Sequence, residues 1–320
     1  MSFLLFEDVT FTYPPTAGDL GADGKPIVPR PVFQDFSADL PSGLVSLVGQ
    51  NGCGKSTFLM LASGRLKPDS GTITLLGKNP FQLKEKEKNL LASVIYQNME
   101  FESDETVSEL LAQVYQAGNY KGNGSAIKNP IKNLLNEVIE VFEIGNVLDH
   151  ALTKLSKGEL QRVILAFSLL YGSKSIFMDE PMFAMEYQQK ENTLSYLKEF
   201  SLKTETTIYC SMHELELTKK YADQVLLFFP GRDMSLGTPE ELLTQGYLEK
   251  AYGIPAAMLK SKEDLTRRHL TEISEQFSKQ GSLKGSALPQ TQAENENAHA
   301  TDNTEESDCA QTKDSFDSAE

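Results

Sequence analysis

The sequence predicts an α/β fold with a mainly parallel core sheet and a helical insertion, and three observations support this prediction. Short apolar runs typical of buried strands alternate with helical stretches along most of the chain. The run at residues 44–48 (LVSLV) resembles a strand buried on both faces, and it leads directly into a Gly-rich loop and a helix. The run at residues 175–178 (SIFM) ends abruptly in two neighbouring carboxylates, Asp179 and Glu180.

The predicted elements follow one another in a regular order. Residues 2–13 alternate as a strand does, and residues 14–31 form a loop rich in Pro and Gly. Two strands then flank a Pro-Ser-Gly turn, a helix ends near Gly64, and the segments GTITLL and ASVIYQ add two further strands. Residues 105–170 are predicted to be mostly helical, with a break at 118–125. The strands SIFMD, TTIYCSM and QVLLFF complete the core sheet.

Composition allows one large domain or two moderate ones, and it singles out the C-terminal tail. The chain has 320 residues, is 40% hydrophobic and carries a formal net charge of −15. Residues 285–320 hold nine acids against one base, so more than half of the net charge lies there. From about residue 281 large apolar residues are almost absent, and such a segment cannot offset its ordering entropy. We therefore expect a disordered acidic tail and, without a basic footprint, no nucleic-acid partner.

The cysteines and the apolar runs indicate the compartment. Cys53, Cys210 and Cys309 show no metal-ligand spacing and no even pairing, which favours a reduced cytosolic setting. The N-terminus has neither a basic start nor a long apolar core, so we expect no signal peptide. No run reaches the roughly 18 apolar residues that a membrane span needs. Any membrane role should therefore act through a partner.

The strongest motif is GQNGCGKS at residues 49–56, which matches the pattern G-x-x-x-x-G-K-[ST]. Its glycines let backbone N–H groups turn inward around phosphate oxygens, and the following helix adds its positive end. Lys55 should reach the β- and γ-phosphates, and the Ser56 hydroxyl should ligate Mg²⁺. The neighbouring lysine and helix start could also lower the pKa of the Cys53 thiol, although a small tolerated residue is the simpler interpretation. The predicted nucleotide-binding residues here are Gly49, Gln50, Asn51, Gly52, Cys53, Gly54, Lys55, Ser56 and Thr57.

The phosphate loop gives the paired carboxylates a role. In folds of this kind the strand beside the loop ends in an aspartate that supports the Mg²⁺ shell, and Asp179 fits that place. Glu180 follows it, where a carboxylate can polarise the water that attacks the terminal phosphate. Without the phosphate loop, a charged strand end that faces water would be the better interpretation. With the loop present, the sequence predicts a hydrolytic site.

A second motif lies between these two, in the segment LSKGELQR at residues 155–162. Ser156 is a typical helix N-cap, and the small Gly158 leaves the helix start open to an anion. The segment resembles the LSGGQ signature of ABC ATPases, although Lys157 replaces the first glycine and Glu159 the glutamine. The resemblance implies that Ser156 and Gly158 contact the γ-phosphate of ATP held on the opposite subunit.

The resemblance assigns further residues. Tyr13, in FTYP, is similar to the aromatic residue that stacks on adenine. Gln97, in VIYQ, is similar to the glutamine that contacts Mg²⁺ or the attacking water, and His213, in CSMHELE, to the switch histidine that contacts the γ-phosphate. The implied catalytic residues are thus Glu180, His213 and Gln97. The implied Mg²⁺ ligands are Ser56, Gln97 and Asp179.

The resemblance also implies a domain layout. Residues 1–255 should form a nucleotide-binding domain, built on the core sheet of P-loop NTPases with an N-terminal antiparallel β subdomain. A helical subdomain should be inserted at about residues 98–172. The resemblance does not cover the rest of the chain, where we expect a short extension at 256–284 and, from composition, the acidic disordered tail at 285–320.

One segment departs from the family pattern. After Glu180 and its proline the family usually has a small polar residue, Ala or Gly, Leu and Asp, whereas this chain has Met-Phe-Ala-Met-Glu at residues 182–186. Phe183 is bulky where the family residue is small, and Glu186 keeps a carboxylate one methylene longer. The dimer partner therefore stays open: an identical chain, or a second and different ABC ATPase.

The implied function is that of an ATP-binding and ATP-hydrolysing subunit of an ABC transporter, with ATP and Mg²⁺ as cofactors. It would drive separate membrane permease subunits from the cytoplasmic face of the membrane. Residues 237–255 resemble the segment that closes ATPases of iron-siderophore and cobalamin importers, which favours import and adds a substrate-binding protein to the partners. The Lys-Gly signature is instead similar to that of some exporter ATPases.

Two alternative functions fit less well. A non-transport ABC ATPase that acts on DNA would split its ATPase halves with a long insertion, but only 101 positions separate Lys55 from Ser156. The type that acts on ribosomes carries two ATPase halves, and this chain has one. A P-loop kinase or GTPase would explain neither the signature segment nor His213.

Overall fold

The computed structural model of the chain describes residues 2–15, 29–97, 99, 101, 103–119, 134–255 and 258–259. All of them belong to one compact unit, Met1–Leu270. The predicted acidic tail, Cys309, most of the predicted extension at 256–284 and most of the loop at 14–31 lie outside the described residues. The predictions for those segments therefore stay predictions.

The described strands and helices alternate along most of the chain, as predicted. The strands are β1 (Leu4–Phe11), β2 (Phe33–Leu40), β3 (Leu44–Val48), β4 (Ser70–Leu75), β5 (Ala92–Ile95), β6 (Ser175–Met178), β7 (Thr207–Ser211), β8 (Gln224–Phe228) and β9 (Met234–Gly237). The α-helices are α1 (Lys55–Ala62), α2 (Glu85–Leu91), α3 (Val107–Ala117), α4 (Leu134–Val141), α5 (Lys157–Tyr171), α6 (Tyr187–Thr204), α7 (Leu215–Tyr221), α8 (Pro239–Leu242) and α9 (Gln245–Tyr252).

The larger sheet has the strand order β5-β6-β7-β3-β8-β9 within the described residues. The first five strands pair in parallel, and β9 pairs antiparallel to β8 at the edge. Every residue of β3, β6 and β7 is buried, as expected for parallel strands covered by helices on both faces. The predicted α/β class with a mainly parallel core sheet is confirmed.

A second, antiparallel sheet has the order β2-β1-β4. Leu4 pairs with Leu40 on one side and with Leu75 on the other, and all three side chains are buried. The pairing is interrupted after Phe6, where Asp8 takes a left-handed backbone conformation with φ of 50°. Such irregularities are typical of β-bulges, which disrupt the ladder locally and increase the twist of the strand.

The segment predicted to be helical contains α3, α4 and α5. Their apolar faces form one core cluster with the inner face of the sheet, in which Leu111, Val138, Val163 and Leu169 are fully or almost fully buried. Helix α5 begins in the signature segment and ends at Tyr171, and the left-handed conformation of the following Gly172 closes the last turn. The structure thus sets the signature segment at the start of a long helix that is anchored in the core.

The sheet topology brings three loops to one edge. Strands β6, β7 and β3 are neighbours and run in the same direction, so their carboxyl ends lie side by side. The phosphate loop follows β3, Asp179 follows β6, and the segment with His213 follows β7. In open parallel sheets this edge is where ligands bind.

Candidate active site

The backbone of the phosphate loop requires glycine at its two ends. Gly49 has φ of 152°, and a β-carbon there would lie only 2.9 Å from the Phe228 β-carbon. Gly54 has φ of 107° and forms the cap from which helix α1 starts. Since larger residues rarely adopt such a conformation, both glycines keep the loop wrapped around the helix start. This is the shape that a phosphate cradle needs.

Lys55 brings a positive charge into the loop. The residue is buried, and its ammonium group donates hydrogen bonds to the carbonyl oxygens of Gly49 at 2.8 Å and Gln50 at 2.9 Å. The side chain therefore folds back over the loop instead of extending into solvent. A phosphate in the cradle would meet backbone N–H groups and this charge together.

Cys53 does not have the activated thiol that its position suggested. Its side chain is half-buried, and this burial raises the pKa of the thiol above its ordinary value. The charge of Lys55 acts in the opposite direction but is the smaller effect. The hypothesis of a lowered thiol pKa is therefore wrong, because loss of hydration outweighs attraction to the lysine.

Asp179 and Glu180 are joined through one hydroxyl group. Ser211, at the end of β7, donates to Asp179 Oδ1 at 2.7 Å and accepts from the Glu180 backbone N–H at 2.8 Å. Asp179 is 9% exposed and the Glu180 side chain 13%, so neither carboxylate is simply a solvated strand end. The serine fixes the relative positions of the two acids.

Glu180 lies between two further predicted residues. Gln97 Nε2 donates to Glu180 Oε2 at 2.9 Å, and a 2.6 Å hydrogen bond joins His213 Nε2 to Glu180 Oε1. Glu180 itself has φ of 48°, a conformation that is uncommon for residues other than glycine. Its backbone is therefore constrained, and both of its carboxylate oxygens are hydrogen-bonded. Residues with such a constrained backbone often lie at functional sites. The structure thus brings the three predicted catalytic residues into contact.

Tyr13 lies at the side of the phosphate loop. Its hydroxyl group is 3.1 Å from Thr57 Oγ1 in the first turn of α1, and its ring packs edge-on against Phe11. The residue is nevertheless 42% exposed. An aromatic ring held at its base and open on one side suits stacking on a planar ligand.

The signature segment forms its own local cap. Ser156 Oγ accepts from the Glu159 backbone N–H at 3.3 Å, and the Glu159 carboxylate accepts from the Ser156 backbone N–H at 2.9 Å. The Ser156 hydroxyl also donates to that carboxylate at 2.7 Å. The pKa of Glu159 is held below its usual range, mainly by this bond from the Ser156 hydroxyl and next by the bond from the Ser156 backbone N–H. Glu159, which replaces the glutamine of the family pattern, therefore places a negative charge at the helix start.

The segment after Glu180 turns its methionines inward and its aromatic residue outward. Met182 and Met185 are buried in the main core, whereas Phe183 is 68% exposed. Glu186 is the N-cap residue of helix α6, and its backbone N–H donates to Gln189 Oε1 at 3.3 Å. A β-carbon at Gly158 would lie 2.9 Å from the Ala184 carbonyl oxygen, so the two backbones approach closely. The signature helix and this loop therefore form one continuous surface.

The site offers oxygen ligands for a divalent cation. In the part of the chain that the structure describes, no group of three or more His, Cys, Asp or Glu side chains could hold a metal ion. Ser56, Asp179 and Gln97 instead supply a hydroxyl, a carboxylate and an amide oxygen. Mg²⁺ prefers such hard donors, and it usually binds to one or two protein groups together with substrate phosphates. The residues therefore fit Mg²⁺ that arrives with a nucleotide.

Two contacts of the site were missed by sequence reasoning. Ser211 joins the two acids, and the Gln50 amide donates to the carbonyl of Tyr252, the last residue of α9. A serine at the end of a buried strand was the only signal for the first contact. For the second, no signal exists, because the partner is a backbone carbonyl some 200 positions away.

Among the described residues, no helix has the length and apolar character that crossing a membrane requires.

Comparisons with known proteins agree with this geometry. The family profile described as ABC transporter matches residues 33–183. The hemin import ATP-binding protein HmuV of Enterobacter cloacae is 30% identical over 231 residues, which cover 70% of this chain and 85% of that protein. HmuV of Escherichia coli O157:H7 is 29% identical over 240 residues, covering 72% and 90%. A solved metal-chelate type ABC transporter in an inward-facing conformation shares the fold, with a TM-score of 0.58 and 20% identity over 80% of this chain and 90% of that one.

The fold and the site define an ATPase whose phosphate loop follows a central parallel strand. The chain belongs to the ABC transporter family, and within it this is an ATP-binding subunit with ATPase activity. The family predicted from residues 49–56 and 155–162 is therefore confirmed. A transport subunit is also favoured over the DNA-acting, ribosome-acting, kinase and GTPase alternatives.

Proposed function

We propose that this ATPase powers import of a metal-chelate class of solute through separate permease subunits, from the cytoplasmic face of the membrane. Two relatives that cover most of the chain are hemin import proteins by name, and a structural neighbour is a metal-chelate type transporter. Residues 237–255, which resemble the segment that closes ATPases of iron-siderophore and cobalamin importers, also support import. A substrate-binding protein on the far side of the membrane would deliver the cargo.

The proposed hydrolytic step centres on Glu180. Its carboxylate takes a proton from the water that attacks the γ-phosphate, while His213 and Gln97 hold the two carboxylate oxygens in a fixed plane. The histidine also contacts the γ-phosphate, so that it senses whether ATP or ADP is bound. This contact network around one carboxylate is the observation that carries the proposal.

Substrate binding is assigned to the loop and the residues around it. Residues 49–57 cradle the phosphates, with Lys55 on the β- and γ-phosphates, and the Tyr13 ring stacks on adenine. Mg²⁺, when bound, neutralises charge on the β- and γ-phosphates and orients them for attack. Ser56, Asp179 and the Gln97 amide oxygen would hold that ion.

The signature residues are proposed to act on a second ATPase subunit. Ser156 and Gly158 lie at an exposed helix start and contact the γ-phosphate of ATP on the partner, so that two ATP molecules clamp two subunits together. The partner is a second copy of this chain or a different ABC ATPase. The nucleotide-binding domain is assigned to residues 1–255, with its helical subdomain at about 98–172.

Reconstitution tests the direction and the cargo class. The chain is purified with the permease subunits that accompany it and placed in liposomes, with MgATP on the side that carries this chain. Hemin, used as the probe, should move towards the ATP side, and a complex with Glu180→Gln should not move it. Movement of hemin away from that side would overturn the import assignment.

A further inference from the structure

Helices α6 and α7 are joined by two ion pairs that lie at different distances from the site. Lys190 pairs with Glu214, and Lys220 pairs with Glu191 at 2.5 Å. Both pairs connect the same two helices. They differ in that one involves the residue directly after His213, whereas the other involves the last turn of α7.

The Lys190–Glu214 pair lies at the junction of two functional segments. Lys190 is in the first turn of α6, which starts immediately after the segment that follows Glu180. Glu214 caps α7, and its backbone carbonyl accepts from both the N–H and the hydroxyl of Thr218, each at 2.9 Å. The ion pair therefore ties the start of one helix to the start of the other.

The segment that carries His213 is short and is fixed on both sides. Before it, the Met212 N–H donates to the Leu47 carbonyl of β3 at 3.2 Å. After it, the side chain of Glu214 is held by Lys190. Between these two anchors the backbone forms neither helix nor strand, and the His213 side chain is 41% exposed. The imidazole position thus depends on the anchors more than on packing around the ring.

Burial separates this pair from a surface ion pair. The Lys190 and Glu214 side chains are 15% and 28% exposed; in the second pair Glu191 is similarly buried, at 24% exposed, but its partner Lys220 is 59% exposed, so that pair is open to solvent on the lysine side. An exposed pair contributes little because water and salt screen it. Removing one partner of a largely desolvated pair leaves a charge without compensation, so the neighbouring backbone must shift to hydrate it.

We infer that Lys190 and Glu214 are positioning residues for ATP hydrolysis: their ion pair holds the His213 segment so that the imidazole meets the Glu180 carboxylate. This inference rests on the proposed roles of Glu180 and His213. Neither Lys190 nor Glu214 is assigned contact with the nucleotide. Their effect should therefore appear in turnover and leave nucleotide affinity nearly unchanged.

The test is steady-state ATPase activity and ATP affinity of the full chain. Lys190→Met and Glu214→Gln should each lower kcat by roughly tenfold, since small displacements of catalytic groups have effects of this size or larger. ATP affinity should stay within about twofold of wild type, the pattern for an interaction that matters only during reaction. The double variant should be no worse than either single variant, because both changes break the same contact.

Two matched variants sharpen the result. Lys220→Met removes the second pair, whose lysine is exposed and which lies away from His213, and should leave kcat within about twofold. Exchanging the charges with Lys190→Glu and Glu214→Lys together should recover most of the lost turnover. Multiplicative losses in the double variant, no recovery on exchange, or an equal loss in Lys220→Met would each overturn the inference.

Glu180→Gln separates failure of this inference from failure of the proposed function. If Glu180→Gln abolishes turnover and Lys190→Met has no effect, only the positioning role is wrong. If Glu180→Gln retains turnover close to wild type, the proposed hydrolytic role of Glu180 is wrong, and the positioning role falls with it.

Discussion

The candidate site has two parts, which differ in how far their polar groups find partners within the chain. The Glu180 backbone N–H and both of its carboxylate oxygens meet partners within the chain: Ser211 on the backbone, and Gln97 and His213 on the carboxylate. At the signature helix, the hydrogen bonds of Ser156 with described residues lie within its local cap, and the neighbouring Phe183 is 68% exposed. We call Gln97, Asp179, Glu180, Ser211 and His213 the hydrolytic part. Residues 155–162 together with 182–186 are the signature part.

This contrast separates residues that work within the chain from residues that present a surface. Geometry in the hydrolytic part is fixed before any partner arrives, because hydrogen bonds within the chain hold each acid. The signature part is anchored from behind, through Met182 and Met185 in the core, but its outer face is open. Changes in the first part should therefore impair chemistry in the isolated chain, and changes in the second should impair assembly.

The largest effect is expected for Glu180→Gln. The amide cannot accept the proton of the attacking water, so turnover should fall by about 10²–10⁴-fold, the usual contribution of a general base. ATP binding should persist, because the phosphate loop is unchanged. Steady-state ATPase activity and equilibrium nucleotide binding check both statements.

The matched control for that change is Glu241→Gln. Glu241 also has a carboxylate that is hydrogen-bonded within the chain, but its donor is the Thr238 backbone N–H in the cap of α8. Its replacement should leave turnover within about twofold, as for other surface changes. Turnover of Glu180→Gln within a few-fold of wild type would contradict the hydrolytic part as described.

A smaller effect is expected for Ser211→Ala. The change leaves Asp179 without its hydroxyl donor and the Glu180 N–H without its acceptor. Turnover should fall by roughly tenfold, and the free energy of unfolding by about 1–3 kcal/mol, the usual penalty for unsatisfied buried groups. ATPase assays and thermal unfolding of the same preparation measure the two effects.

Ser46→Ala is the control for the serine. Ser46 is another buried strand hydroxyl, and its contact with Thr218 is long, at 3.4 Å. Its loss should lower stability at most slightly and leave kcat alone. Equal kcat losses in the two alanine variants would mean that Ser211 acts only through stability.

The smallest effect is expected for Glu159→Gln, in the signature part. Glutamine can still form the capping box, but the negative charge beside the proposed phosphate contact is removed. Turnover at low ATP should rise by about twofold, and Tm should fall slightly, because acids near a helix start stabilise it by roughly 0.3–1 kcal/mol. Unchanged or lower turnover would show that the charge does not oppose ATP-driven assembly.

The residue patterns alone predicted what is local. The family resemblance named Gln97, Glu180 and His213, which meet across distant segments, but the contact of Ser211 was missed. The phosphate loop at 49–56 and the Ser156 cap are continuous patterns, so each residue follows from its neighbours. The Ser211–Asp179 bond spans 32 positions, and no spacing rule indicates it. Cys53 shows the same limit, since its thiol pKa depends on burial that the loop sequence does not reveal.

The fold shows a similar division. Strongly apolar strands such as β3 and β6 were predicted from their composition alone. The edge strand β9 was not predicted, because it has four residues and none of them is buried. Its pairing with β8 is a tertiary interaction that overrides weak local preference. The segment at 182–186 was recognised as unusual, but only the structure shows its methionines buried and Phe183 exposed.

The measurement that tests the contrast most directly is the effect of Ser156→Arg on ATP affinity and on turnover, in the isolated chain and with the permease subunits present. The substitution places bulk and positive charge at the exposed helix start. If the signature part acts on ATP held by a partner, monomer affinity should stay within about twofold of wild type while turnover falls by at least tenfold, as for a contact made only in the closed state. If monomer affinity instead falls by as much as turnover, the signature helix belongs to the chain's own site, and the division into two parts is wrong.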